Sequence, residues 1–149
     1  PFPEDSPTVW RSDSGDVAFT GRLIGGCMDV IEWFLRKDTA DAKGFVDRYR
    51  EDGIAWYLET FDMDESRVRW TLQEMERRGW LEGCTGMVFG RPLYSEAVES
   101  ALPGKGFPIL FDADVGHKAP RMTFVNGALA TFRFKDERCT MSYDFSRSR

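Results

Sequence analysis

Histidine is almost missing from this chain, with a single one, His117, among 149 residues. Cysteine is sparse as well. Cys27, Cys84 and Cys139 are odd in number and far apart, which excludes a disulfide framework and a C-x-x-C metal pair. A zinc site of ordinary ligand type would need all of these residues, and their spacing does not suggest one. Positive charge is in deficit: 20 Lys and Arg stand against 25 Asp and Glu, for a net charge of −5. That balance argues against a nucleic acid or an anionic membrane as partner, because binding phosphates needs a basic surface. No apolar run reaches the 18 residues of a membrane span and no signal peptide is visible, so reduced thiols in a cytoplasmic setting fit best. There is also no G-x-S-x-G elbow to present a nucleophilic serine.

What the chain does have is a globular composition, with 12 Phe, 5 Trp, 4 Tyr and 30% charged residues. Its length suits one domain, burying about 68–70% of the unfolded surface. Residues 1–15, rich in Pro, Ser and Asp, read as a linker or extended lead-in, with the domain over 16–149. The start at Pro1-Phe2-Pro3, without Met, suggests a piece of something longer. The tail Ser146-Arg147-Ser148-Arg149 reads as a frayed end rather than a binding arm.

Periodicity organises the rest. Val17, Phe19, Gly21 and Leu23 alternate as a strand ending at Gly25-Gly26. Cys27, Val30, Ile31, Phe34 and Leu35 recur at helical spacing, and Phe45 with Tyr49 marks a short helical turn. Ile54-Ala55-Trp56-Tyr57-Leu58 is apolar on both faces, which predicts a central strand that stops at Glu59. Asp64 to Arg78 predicts a second long helix, capped by Asp62 or Asp64 and ended by Gly79. Strands are expected over 85–90, 109–113, 122–125, 129–135 and 139–145, with a short helix over 95–101 and a hairpin turn at Asn126-Gly127. The fold class is mixed α/β or α+β, with helices early and a β-rich end.

His117 follows an apolar run, Phe107 to Ala113, and a glycine. An imidazole there can take and give a proton near neutral pH, although the position also suits an ordinary loop histidine. Glu59 closes a buried strand, where a carboxylate needs a partner; it can orient an imidazole or simply face water. Gly25-Gly26 fits close packing or an anion-binding backbone. Arg91 could grip a carboxylate or form a structural ion pair. Asp114 could shape the turn before the histidine. The residues thus offer a base and an orienting acid but no nucleophile and no oxyanion hole.

Gly21-Arg22-Leu23-Ile24-Gly25-Gly26-Cys27, Asp52-Gly53-Ile54-Ala55-Trp56-Tyr57-Leu58-Glu59, Val88-Phe89-Gly90-Arg91-Pro92 and Asp112-Ala113-Asp114-Val115-Gly116-His117-Lys118-Ala119-Pro120 together resemble, in this order, the LD-carboxypeptidase family of serine peptidases, in its microcin C immunity-type branch. The likeness runs from about Val17 to Phe134. It implies a compact swivelling-type β/β/α domain, the C-terminal one of two. The absent N-terminal domain would supply the nucleophilic serine and the oxyanion hole. On this resemblance Glu59 is the triad acid and His117 the triad base, so the isolated chain should be inactive. Trp56, Phe61, Arg91 and Asp114 are candidates for substrate contact, with core packing the alternative for Trp56 and Phe61. The resemblance implies no metal or organic cofactor, a peptide or peptidyl-nucleotide substrate, and a homodimer. Two rivals remain: a non-catalytic module that binds a muropeptide-like ligand, and a metal-dependent hydrolase with His117, Asp112 and Asp114 as ligands.

Overall fold

The computed structural model describes residues 9–91 and 94–146. The lead-in over 1–8, Pro92 and the terminal arginines Arg147 and Arg149 lie outside them.

The described residues form a seven-stranded sheet in the order β1-β5-β4-β3-β2-β6-β7 and four α-helices. The strands are β1 (Arg11–Ser12), β2 (Val17–Cys27), β3 (Ile54–Glu59), β4 (Cys84–Gly90), β5 (Ile109–Ala113), β6 (Leu129–Lys135) and β7 (Arg138–Asp144). The helices are α1 (Met28–Lys37), α2 (Ala42–Tyr49), α3 (Glu65–Arg77) and α4 (Ser95–Ala101). Strands β2, β3, β4 and β5 run parallel, and β1, β6 and β7 extend the sheet antiparallel at its two ends. This is an α/β fold, as expected from the mixed periodicities.

Each parallel step needs a crossover, and a crossover helix returns to the sheet with one hand. Because β2 to β5 lie side by side in chain order, all four helices fall on one face. Strand β3 shows the result directly. Ile54, Trp56 and Leu58 join a cluster with Leu35, Val46, Leu72 and Met75 of the helices. Ala55 and Tyr57 point the other way, into a cluster with Phe19, Val88, Leu110 and Phe132. Every residue of β3 is buried, the outcome predicted from its unbroken apolar run.

The helix-free face needs cover, and the sheet supplies it by curling. A groove of about 350 Å³ is lined by Trp10 beside one edge and by residues 137–141 at the other. The concave interior holds Phe19 stacked on Phe132 at 5.0 Å and Phe124 against Tyr57 at 4.9 Å. Residues Trp10 to Asp13 take part: Trp10 is buried and Arg11–Ser12 pairs with β5.

Two local expectations are corrected. Residues 122–125 do not form a strand. Their alternation reflects packing onto the curled sheet, where Phe124 turns inward, while Met122 N–H donates to the Asp114 carbonyl at 2.6 Å. Asn126-Gly127 does turn, but it leads into β6 instead of joining two strands. The hairpin is β6–β7, and its turn is Asp136-Glu137, both at positive φ (49° and 60°). This turn has no glycine and so lacks the strong Asn-Gly or Asp-Gly hairpin signal. Strand β2 also runs through Gly25-Gly26 to Cys27. A Cβ on Gly25 would lie 1.8 Å from the Tyr57 carbonyl oxygen, so glycine is required for the two strands to approach. No helix is long and apolar enough to cross a membrane among the described residues.

Candidate functional site

In parallel α/β sheets, ligand chemistry gathers at the carboxyl ends of the strands. Here β2 ends at Cys27, β3 at Glu59 and β4 at Gly90. Cys27 and Glu59 are register partners across parallel strands, so their side chains leave the sheet on the same side. Glu59 is 4% exposed. A carboxylate so buried requires a partner, and the structure provides His117, whose Nδ1 lies 2.8 Å from Glu59 Oε2.

Two glycines make that contact possible. A Cβ on Gly90 would fall 2.2 Å from the Val115 carbonyl oxygen and 3.0 Å from Glu59 Cβ. A Cβ on Gly116, which sits at φ +110°, would fall 2.7 Å from Glu59 Oε2. The loop bearing His117 therefore lies directly on the end of β3, with no room for a side chain between them. The imidazole itself is half exposed.

Arg91 and Asp114 brace this loop. Arg91 Nη2 donates to Asp114 Oδ1 at 3.0 Å and to the carbonyls of Pro120 and Ala119 at 3.3 and 3.4 Å. Asp114 also accepts from the Trp10 indole N–H at 3.1 Å. Phe61 is 69% exposed, and its ring centroid lies 4.8 Å from that of His117. Asp29 fixes its backbone by accepting the N–H groups of Phe61 and Asp62 at 2.9 and 3.2 Å. Burial works to raise the Asp29 carboxyl, but these donors outweigh it and its pKa falls below the ordinary value. Trp56 stands apart, 1% exposed in the helix-side core, where it donates its indole N–H to the Trp80 carbonyl at 3.1 Å.

The structure thus brings Glu59, His117 and Phe61 together, places Arg91 and Asp114 behind the histidine loop, and buries Trp56 elsewhere. Asp112 pairs with Arg11 at 2.5 Å and Asp114 with Arg91, so neither turns to His117 as the metal-hydrolase alternative requires. Among the described residues the ligand-type group around His117 is instead Glu59 with Cys27. Cys27, expected on the stripe of the first helix, instead ends β2 beside Glu59, a placement that depends on parallel register and that no local pattern encodes. Burial, and the adjacent charge of Glu59, push the Cys27 thiol up to about 11. It is therefore a protonated thiol at neutral pH, not an activated nucleophile.

Residues 20–132 match the family model of the LD-carboxypeptidase C-terminal domain. No curated protein sequence matches the chain. Among solved structures, a muramoyltetrapeptide carboxypeptidase from Oxalobacter formigenes is similar with a TM-score of 0.69 at 17% identity, over 93% of this chain and 50% of that one. The microcin C7 self immunity protein MccF, in complex with aspartyl sulfamoyl adenosine, gives 0.69 at 15% identity, over 95% and 42%. An MccF-like protein from Bacillus anthracis str. Ames gives 0.60 at 19%, over 89% and 41%. At these identities the likeness is one of fold. The chain spans half or less of the length of each of these proteins.

Proposed function

This chain belongs to the LD-carboxypeptidase C-terminal domain family, and from that premise we propose that it is the acid- and base-bearing half of a Ser-Glu-His peptidase. The observation that carries the proposal is the 2.8 Å contact between His117 Nδ1 and Glu59 Oε2 at the carboxyl edge of the sheet.

An ionised carboxylate only accepts hydrogen bonds, so Nδ1 must donate. That fixes the neutral tautomer with Nε2 unprotonated. Nε2 is then the atom that takes the proton of a serine hydroxyl and returns it to the leaving amine. Glu59 holds the ring in place and stabilises the imidazolium that forms. Serine and oxyanion donors come from a separate nucleophile-bearing domain. Arg91 and Asp114 position the histidine loop, and Phe61 forms a wall of the substrate cleft beside the imidazole.

The substrates of this reading are amide bonds near a free carboxylate: the L-to-D bond of a peptidoglycan stem peptide, or a peptidyl-nucleotide. It is supported by relatives named as a muramoyltetrapeptide carboxypeptidase and as an immunity protein in complex with aspartyl sulfamoyl adenosine. A cytoplasmic, homodimeric full-length enzyme completes the reading.

The test is intact-protein labelling with a fluorophosphonate. This chain alone should remain unlabelled. Mixed with a nucleophile-bearing domain of the family, the serine of that domain should become labelled, and His117→Ala should abolish labelling. Labelling of this chain by itself, or labelling of the mixture that survives His117→Ala, would overturn the assignment. A stable association of the two domains with no labelling would favour a binding module instead.

A further inference from the structure

Cys27 has no part in the triad, yet it faces it. Its Sγ, a carboxylate oxygen of Glu59 and a ring nitrogen of His117 all lie within 4.8 Å of one another. We propose that these three side chains form a binding site for a thiophilic divalent cation, zinc above all, which captures the catalytic imidazole.

The donor set selects the class of cation. Thiolate, imidazole and carboxylate together suit zinc and its neighbours in the first transition row, whereas magnesium and calcium take oxygen ligands. Zinc bonds of about 2.0–2.3 Å, arranged tetrahedrally, need ligand atoms about 3.4–3.6 Å apart. The three ligand atoms now lie within 4.8 Å of one another, and the 2.8 Å contact between His117 and Glu59 must open to admit the ion. Cys27 and Glu59 are anchored as register partners at the ends of β2 and β3. His117 stands at the end of its loop with the ring half exposed, so the imidazole can turn from its contact with Glu59 to meet the ion beside the two fixed ligands. Three protein ligands leave the fourth position to water, facing the open side of the cleft.

Charge and protons balance. Binding replaces the Cys27 S–H proton, which leaves to solvent, and the thiolate and the Glu59 carboxylate together neutralise the dication. The cation holds the only imidazole of the chain. Whichever ring nitrogen it takes, the Nδ1–Glu59 contact or the free Nε2 is lost, and His117 cannot act as a base. Inhibition by the cation therefore rests on the catalytic reading above, whereas the binding itself does not.

The test uses the chain as it is, with cobalt as an optical stand-in for zinc. Cobalt should bind in one equivalent and produce thiolate-to-metal charge-transfer absorption, and zinc should displace it stoichiometrically. Cys27→Ser and Cys27→Ala should each remove the band, with circular dichroism confirming the fold. The two remaining cysteines, Cys84 and Cys139, serve as internal controls. His117→Ala and Glu59→Gln should each weaken binding by roughly tenfold or more. No band at saturating cobalt, a band that persists without Cys27, or an affinity indifferent to His117 would overturn the site. Cobalt binding as stated, together with labelling of the assembled peptidase that ignores His117→Ala, would sink the catalytic reading and leave the metal site standing. The opposite pair of results would do the reverse.

Discussion

Glu59→Gln should lower kcat of the assembled peptidase by about 10⁴-fold while leaving KM nearly unchanged. Glutamine matches the shape of glutamate, so the tight packing of Gly90 and Gly116 against this side chain is kept. What changes is the hydrogen bond. The amide NH₂ donates toward Nδ1, the ring adopts the opposite tautomer, and Nε2 then carries a proton where the serine hydroxyl needs an acceptor. The loss falls on a step made only in the transition state, which is why kcat moves and KM does not. A loss of less than tenfold in steady-state kinetics would mean that Glu59 does not orient the base.

The second large effect lies at the opposite end of the same strands and concerns stability. Arg22 Nε and Asp52 Oδ2 form an ion pair at 2.8 Å with side chains only 5% and 7% exposed. Arg22 also donates to the Gly127 carbonyl at 3.1 Å and lies over the Tyr49 ring at 5.1 Å. Its backbone N–H bonds the Gly53 carbonyl at 2.8 Å. Together these contacts tie β2, the turn before β3 and the turn before β6, and so set the register that places Cys27 beside Glu59. Asp52→Ala removes the buried carboxylate partner of the Arg22 guanidinium, and breaking a buried pair in this way costs about 3–5 kcal/mol. The paired replacement Arg22→Met with Asp52→Leu should recover most of that loss, since what is costly is the unmatched charge and not the absence of a pair. Urea denaturation of the native chain and the two variants checks both statements. A loss below about 1 kcal/mol for Asp52→Ala would show the pair to behave as a surface bridge.

Where local pattern determines structure, the sequence was readable. The five apolar residues ending at Leu58 announced a strand buried on both faces, and Asp64 does cap α3, accepting the Arg67 N–H at 2.9 Å. Glu59 and His117 stood out one by one, as a carboxylate closing a buried strand and as the only imidazole. Their partnership came only from the family resemblance and not from local pattern, because it depends on a loop 58 residues away folding back over β3 through Gly90 and Gly116. The same holds for Cys27, which reaches Glu59 only through parallel register, and for Phe124, whose alternating neighbours suggest a ladder but pack against a curled sheet. The Asp136-Glu137 turn was less legible for another reason: it contains no glycine, yet both residues take positive φ where β6 closes on β7.

If Glu59 orients His117 as proposed, Nδ1 is the donor and Nε2 the free base. With a single histidine in the chain, long-range ¹H–¹⁵N correlation of the imidazole gives one unambiguous spin system. The neutral ring of the native chain should carry its proton on Nδ1, and Glu59→Gln should move it to Nε2. A native ring protonated at Nε2, or a tautomer indifferent to Glu59, would contradict it.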